Sequence, residues 1–225
     1  MTKNYANILE SYVILNSDSD SVTEGYLFNQ TPIFLNYERW LNGESKILYI
    51  TGLSGSGKGW QAKRIADNVD NCIIFELDKF ENYLWYIDKN DKEHPAVARG
   101  DKVIFDYLKK NFDTSIDIFD NNVEKYKSMM KDFYLYLLDY VNKHPDHHYI
   151  MEGIHLYTDD AFNTISTKDS VIILRTSMVK SMRKVMDREH CEIRNRLHTY
   201  IDFQKKLREF EQRLNVGKVK IASTN

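Results

Sequence analysis

Cysteine is nearly absent, with only Cys72 and Cys191 in the chain. Two thiols are too few for a disulfide framework, so a reducing, cytoplasmic setting is expected. Proline is scarce as well, 3 in 225 residues, which argues against proline-rich linkers. Neither sign of charge dominates: 31 Lys and Arg face 33 Asp and Glu, a formal net charge of −2. No global field therefore draws the protein to nucleic acid or to an anionic membrane, and any anion site must be local. No run approaches the roughly 18 apolar residues of a membrane span, and the start lacks the basic-then-apolar pattern of a secretory leader. Nor is there an internal repeat. What is present is 42% hydrophobic and 28% charged residues, the balance of a globular chain, at a length that suits one α/β domain with insertions.

Four apolar runs rich in β-formers punctuate the chain: "KILYIT" at 46–51, "CIIFEL" at 72–77, "YIM" at 149–151 and "SVIIL" at 170–174. Such mostly apolar runs suit strands buried on both faces of a parallel sheet. A fifth strand is expected at "KVKIA", 218–222, after a break at Gly217. Helical spacing fills the gaps: Lys58 to Asn68, Asp101 to Phe112, a long helix through Val123, Tyr126, Met130, Phe133, Leu137 and Val141, and another through Ile193, Leu197, Tyr200, Phe203, Leu207, Phe210 and Leu214. "PIFLNYERWLNGESK" reads as a strand and a short helix, with Asn36 as its cap and Asn42-Gly43 ending it. Residues 1–45 are expected to be an extension of unknown role. Strands alternating with helices imply right-handed crossovers, a mostly parallel five-stranded α/β sheet and ligands at the carboxyl ends of the strands.

The polar residues of interest follow those strands. "GLSGSGKGWQA" at 52–62 is a G-x-x-x-x-G-K pattern between a strand and a helix, the context a phosphate-binding loop (Walker A) needs. Its glycines let backbone N–H groups turn inward as an anion nest, the helix N-terminus adds its positive dipole end, and Lys58 reaches the β- and γ-phosphates. Gly52, Ser54, Gly55, Ser56, Gly57, Lys58, Gly59 and Trp60 are the expected nucleotide contacts. The bland alternative is a glycine-rich turn with a solvated lysine. Position 59 would ordinarily carry the Ser or Thr that ligates Mg²⁺.

On these residues the loop resembles that of adenylate kinase, G-x-P-G-x-G-K-G-T-Q: Gly55, Gly57, Lys58, Gly59, Gln61 and Ala62 match, and Ser54 and Trp60 depart. The chain is thus similar to the P-loop kinase superfamily over approximately residues 46–222. The resemblance implies a three-layer P-loop sandwich with a helical acceptor-binding insertion at 79–146 and a lid at 178–196. It implies ATP and Mg²⁺ as cofactors, with the metal held largely through water and phosphate. In the wider group, which includes zeta-toxin-like, polynucleotide and small-metabolite kinases, an acid placed like Asp78 faces the acceptor hydroxyl and accepts or orients its proton. Asp78 with Glu81 also fits a helix capping box, and the two roles are compatible. Lys79, Glu81 and Tyr83 are expected beside the acceptor.

In "HHYIMEGIHLY", Glu152 ends a strand where it would hold a magnesium-bound water or contact substrate, and Gly153 allows close backbone approach. The alternative is a strand-end acid paired with a base. The histidines and cysteines form no zinc pattern. The segment 175–196 carries Arg175, Arg183, Arg188, Arg194 and Arg196. By resemblance to kinase lids, Arg183 and Arg188 would bear on the transferring phosphoryl group, while a charged helix face with Asp187, Glu189 and Glu192 describes the rest. The expected function is transfer of the γ-phosphate of ATP to a hydroxyl or phosphate of a small acceptor such as a nucleoside, nucleotide or related metabolite. A non-catalytic nucleotide sensor or assembly protein and a polynucleotide kinase are the alternatives. A GTPase would carry N-K-x-D, which is absent. No membrane partner is expected, and a homodimer is compatible with this reading.

Overall fold

The alternation of apolar strands and amphipathic helices closes into a five-stranded sheet in the computed structural model, which describes residues 31–80, 82–83, 99–111, 123–189 and 193–215. Its strands are β1 (Thr31–Leu35), β2 (Ile47–Gly52), β3 (Cys72–Glu76), β4 (His148–Glu152) and β5 (Ser170–Arg175), in the spatial order β1-β5-β2-β4-β3. β2 to β5 are mutually parallel, and β1 joins β5 antiparallel, Ile33 facing Ile173. The strand expected at 218–222 lies outside the described residues, so the fifth strand here is β1. Residues 31–41, read from the sequence as the end of an extension, thus belong to the same sheet. Antiparallel addition is open to β1 because it sits at an edge and needs no crossover.

Strand alternation divides the core in two. Leu48, Ile50, Ile150, Ile172 and Leu174 pack with α1 (Tyr37–Leu41) and α2 (Lys58–Ala66). On the other face Tyr49, Phe75, Tyr149, Met151, Val171 and Ile173 pack with α3 (Arg99–Asn111), α4 (Val123–Lys143), α5 (His155–Thr158) and α7 (Ile193–Arg213). Helices therefore cover both faces, as fully apolar strands require. α6 (Met178–Glu189) precedes α7 and packs on it through Met182, Val185 and Tyr200. Asn36 occupies the expected cap position of α1, but with φ 48° its side chain makes no cap bond. It donates instead to the carbonyls of Thr167 (2.8 Å) and Asp169 (3.0 Å), tying α1 to the turn before β5. Asn42 ends the helix, and Gly43 follows at φ 76°.

This topology fixes where a ligand can enter. β2 runs into α2 on one face, whereas its neighbour β4 runs into α5 on the other. Chains leaving adjacent parallel strands toward opposite faces open a crevice at their carboxyl ends. Among the described residues no helix is long and apolar enough to cross a membrane.

Candidate functional site

The crevice is floored by the loop from Gly52 to Gly57. Ser56 N–H donates to Leu53 O (2.9 Å), and Gln61 N–H donates to Gly57 O (3.0 Å), the first bond of α2. Gly57 takes φ 87° as the cap, a conformation L side chains rarely adopt, so the turn can swing its amides inward there at little cost. Lys58 is buried to 7% exposure, and its Nζ donates to Leu53 O at 3.4 Å. An ammonium at a helix N-terminus, folded over its own loop, is arranged to meet an anion. Gln61 is also buried, with Oε1 left without a hydrogen-bond partner.

Glu152 faces that loop across the crevice. A Cβ placed on Gly59 would lie 3.5 Å from Glu152 Oε1, so the carboxylate stands beside the position where a serine or threonine would begin. Glu152 is 5% exposed, and its carboxyl is pushed up to about 8. Burial is the main cause; Lys58 and Lys79 pull it down, whereas Asp78 and Glu76 push it up. The burial therefore holds the proton more tightly than in water, and a cation brought beside the group would favour its ionised form.

Asp78 arrives from β3. Its Oδ1 accepts from Ile154 N–H (3.4 Å) and lies 3.9 Å from His155 Nε2. A Cβ on Gly153 would stand 2.9 Å from the same oxygen, so only glycine lets the backbone after β4 pass this close. Thr51 Oγ1 donates to Gly153 O (2.9 Å), joining β2 to the same turn. Lys58, Asp78, Gly153 and Glu152 are thus brought together as the sequence implied. Lys79 reaches Glu76 at 4.0 Å on the rim. Tyr83 is buried in the core with its ring edge-on to Phe105, and Glu81 lies outside the described residues.

Trp60 is 45% exposed, with the Arg64 guanidinium 5.3 Å from its ring centroid. The indole projects from α2 into solvent, away from the buried Lys58 and Gln61 face of the helix. It does not fill the crevice.

α6 and α7 meet the loop through residues that sequence reasoning passed over. The carbonyl of Ser54 accepts from Ser181 Oγ and from Tyr200 Oη (3.2 Å). Gly55, at φ 81°, presses on the same helix: a Cβ there would be 2.7 Å from Ser181 O and 3.5 Å from Lys184 Cβ. Lys184, half-buried and with its ammonium pKa lowered by burial and by Lys180, lies on the side of α6 that packs against the loop. Arg183 is exposed on α6, and Arg175 is engaged by Glu211 at 3.0 and 2.8 Å. The side chains of Arg188, Arg194 and Arg196 lie outside the described ones. The signal available was the i, i+3, i+4 stripe of Ser181, Lys184 and Val185, which shares one helix face.

Two properties bear on metal. Among the described residues, no three His, Cys, Asp or Glu form a group able to hold an ion. Mg²⁺, however, usually keeps several waters and takes one or two carboxylates plus substrate phosphates. A single buried carboxylate, repelled by Asp78 and Glu76 and facing an anion nest, fits that mode. The arrangement can hold a polyanion on Lys58 and the loop amides, place a carboxylate beside it, and set Asp78 across from it as a proton acceptor. Compared with models of known protein families, with curated proteins and with solved structures, the chain matches none.

Proposed function

We propose that the protein is a P-loop phosphotransferase that moves the γ-phosphate of ATP to a small acceptor. The observation that carries this reading is the apposition of Glu152 Oε1 to Gly59, 3.5 Å from its missing Cβ, at the head of a helix whose Lys58 is folded over the glycine loop. The loop amides and Lys58 hold the phosphates. Glu152 supplies from β4 the oxygen that position 59 lacks, holding the water shell of Mg²⁺, which when bound neutralises charge on the phosphate oxygens. Asp78, fixed by Ile154 N–H, takes the proton of the acceptor hydroxyl as that oxygen bonds to phosphorus. The bond from phosphorus to the bridging oxygen breaks, and ADP leaves with the electron pair. Lys184, against the loop, and Arg183, on the exposed side of α6, stand on the lid that would close over the transferring group.

Two variants test the reading. Lys58→Ala is expected to abolish ATP binding measured by calorimetry. Asp78→Asn is expected to keep ATP affinity within about threefold and to lower transfer by roughly a hundredfold or more. Unchanged turnover in Lys58→Ala would overturn the mechanism, whereas ATP binding without transfer after a broad acceptor screen would favour a nucleotide sensor instead.

A further inference from the structure

We infer that His155 is a positioning residue: its buried imidazole fixes Oδ1 of Asp78, so that Oδ2 is the oxygen turned to the acceptor hydroxyl. This rests on the phosphotransferase reading and adds to it the group that orients the proton acceptor.

The two side chains differ in freedom. Asp78 has 49% of its side chain exposed, whereas His155 has 8%. Asp78 follows the end of β3, where an exposed carboxylate can change rotamer unless something holds it. Three groups converge on its Oδ1. Ile154 N–H donates to it at 3.4 Å, His155 Nε2 lies 3.9 Å away, and a Cβ on Gly153 would stand at 2.9 Å. Oδ2 is thereby the oxygen left for the acceptor.

The imidazole is carried by a tethered element. Thr158 Oγ1 donates to Ile154 O (3.0 Å) and Asp159 N–H donates to His155 O (3.0 Å), closing α5 on itself. Lys206 Nζ donates to Thr158 O (3.2 Å), and Tyr157 meets Phe203 edge-on at 6.5 Å, fastening α5 to α7. A ring buried on such an element has little room to turn, so the fixed partner sets the freer one.

At 3.9 Å the approach is electrostatic rather than a hydrogen bond, and catalytic contacts of this kind tighten when substrate binds. The ring serves this role with a proton on Nε2, the nitrogen that faces the carboxylate. An oxygen that faces two N–H groups is the less basic of the pair, which leaves the incoming proton to Oδ2. As the acceptor oxygen bonds to phosphorus, its proton passes to Oδ2, and the bridging bond of ATP breaks with its electron pair on ADP. His155 neither gains nor loses a proton in this step; it keeps the carboxylate at the angle the hydroxyl meets.

The test uses the full chain with Mg²⁺ and γ-labelled ATP, offering ribonucleosides and glycerol as hydroxyl acceptors. Label released to water is counted too, because Asp78 takes the proton in either attack. Two variants separate the contact from the packing: the amide of Gln reaches the place of Nε2, that of Asn only the place of Nδ1. His155→Asn is expected to lower kcat about tenfold with KM within about threefold, and His155→Gln to keep both within about threefold. ATP affinity, unchanged in each, reports that each is folded. In an Asp78→Asn background His155→Asn should cost nothing further, since the carboxylate it serves is gone. The same loss in both backgrounds, an unchanged kcat in His155→Asn, equal losses in the two variants, or loss of ATP binding in both makes His155 a packing residue and overturns the inference. Absence of Lys58-dependent ATP binding, or of any label transfer by the unaltered chain, overturns the phosphotransferase reading and this inference with it.

Discussion

Gly59 and Glu152 share one space: the carboxylate Oε1 stands 3.5 Å from where a Cβ of residue 59 would be. That separation is ordinary van der Waals contact, so a methyl group fits while anything longer presses on the acid. Gly59 also lies within α2, where glycine carries an entropic cost relative to alanine. Gly59→Ala is therefore expected to stabilise the fold by about 0.5 kcal/mol, read from the urea midpoint. A loss of stability would mean that Glu152 stands closer to the helix than this contact implies.

The raised carboxyl of Glu152 gives stability a pH dependence. Its value is about 8 against an ordinary 4.5, so between these values the native state keeps a proton that the unfolded chain has released. Stability then falls as pH rises through this window; below it the group is protonated in both states, and above it the penalty is complete. Glu152→Gln removes the titration. Its Tm should match the wild type near pH 4.5 and exceed it increasingly toward pH 8, while phosphoryl transfer falls. Parallel Tm curves across the range would contradict the placement of the carboxylate in a desolvated site.

Ser54 links the glycine loop to two helices, its carbonyl accepting from Ser181 on α6 and Tyr200 on α7. Either donor alone keeps the carbonyl satisfied. Tyr200→Phe and Ser181→Ala should each cost about 1 kcal/mol, and the double variant more than their sum, because the oxygen is then left with neither. A double-mutant cycle by chemical denaturation checks this. Strict additivity would show that the two hydroxyls act on separate features.

The core strands were legible because "KILYIT", "CIIFEL" and "SVIIL" are mostly apolar, a pattern that burial beneath helices imposes directly. Asp78 and Glu152 could be named because a parallel sheet sends every carboxyl end to one rim, so each polar residue following such a run arrives there. That Lys184, not Arg183, lies on the side of α6 next to the loop was not legible, for a different reason. Which side of α6 meets the loop depends on the approach of Gly55 to Ser181, a contact across more than a hundred residues that no local period encodes. Asn36 shows the same limit: its cap position was correct, but its side chain bonds to carbonyls beyond Ser166. The pairing of β1 with β5 is likewise a long-range choice, open to any short apolar strand that reaches a free edge.

Trp40 decides whether residues 31–41 are an appendage or part of the fold. Its side chain is fully buried, its Nε1 donates to Tyr149 O (3.1 Å), and its ring meets His148 edge-on at 5.3 Å. α1 thereby covers β4, the strand that carries Glu152, from the face opposite α4. Trp40→Ala removes a large buried ring and a hydrogen bond together, a loss of about 3–5 kcal/mol. Against a total of roughly 5–15 kcal/mol for a domain, that leaves little reserve. Trp40→Phe keeps most of the apolar volume and should lose about half as much. Both are measured by urea denaturation followed through far-ultraviolet circular dichroism. A loss below about 1 kcal/mol in Trp40→Ala would mean that α1 is attached to the sheet without supporting it; the larger loss makes β1 and α1 structural members on which the position of Glu152 depends.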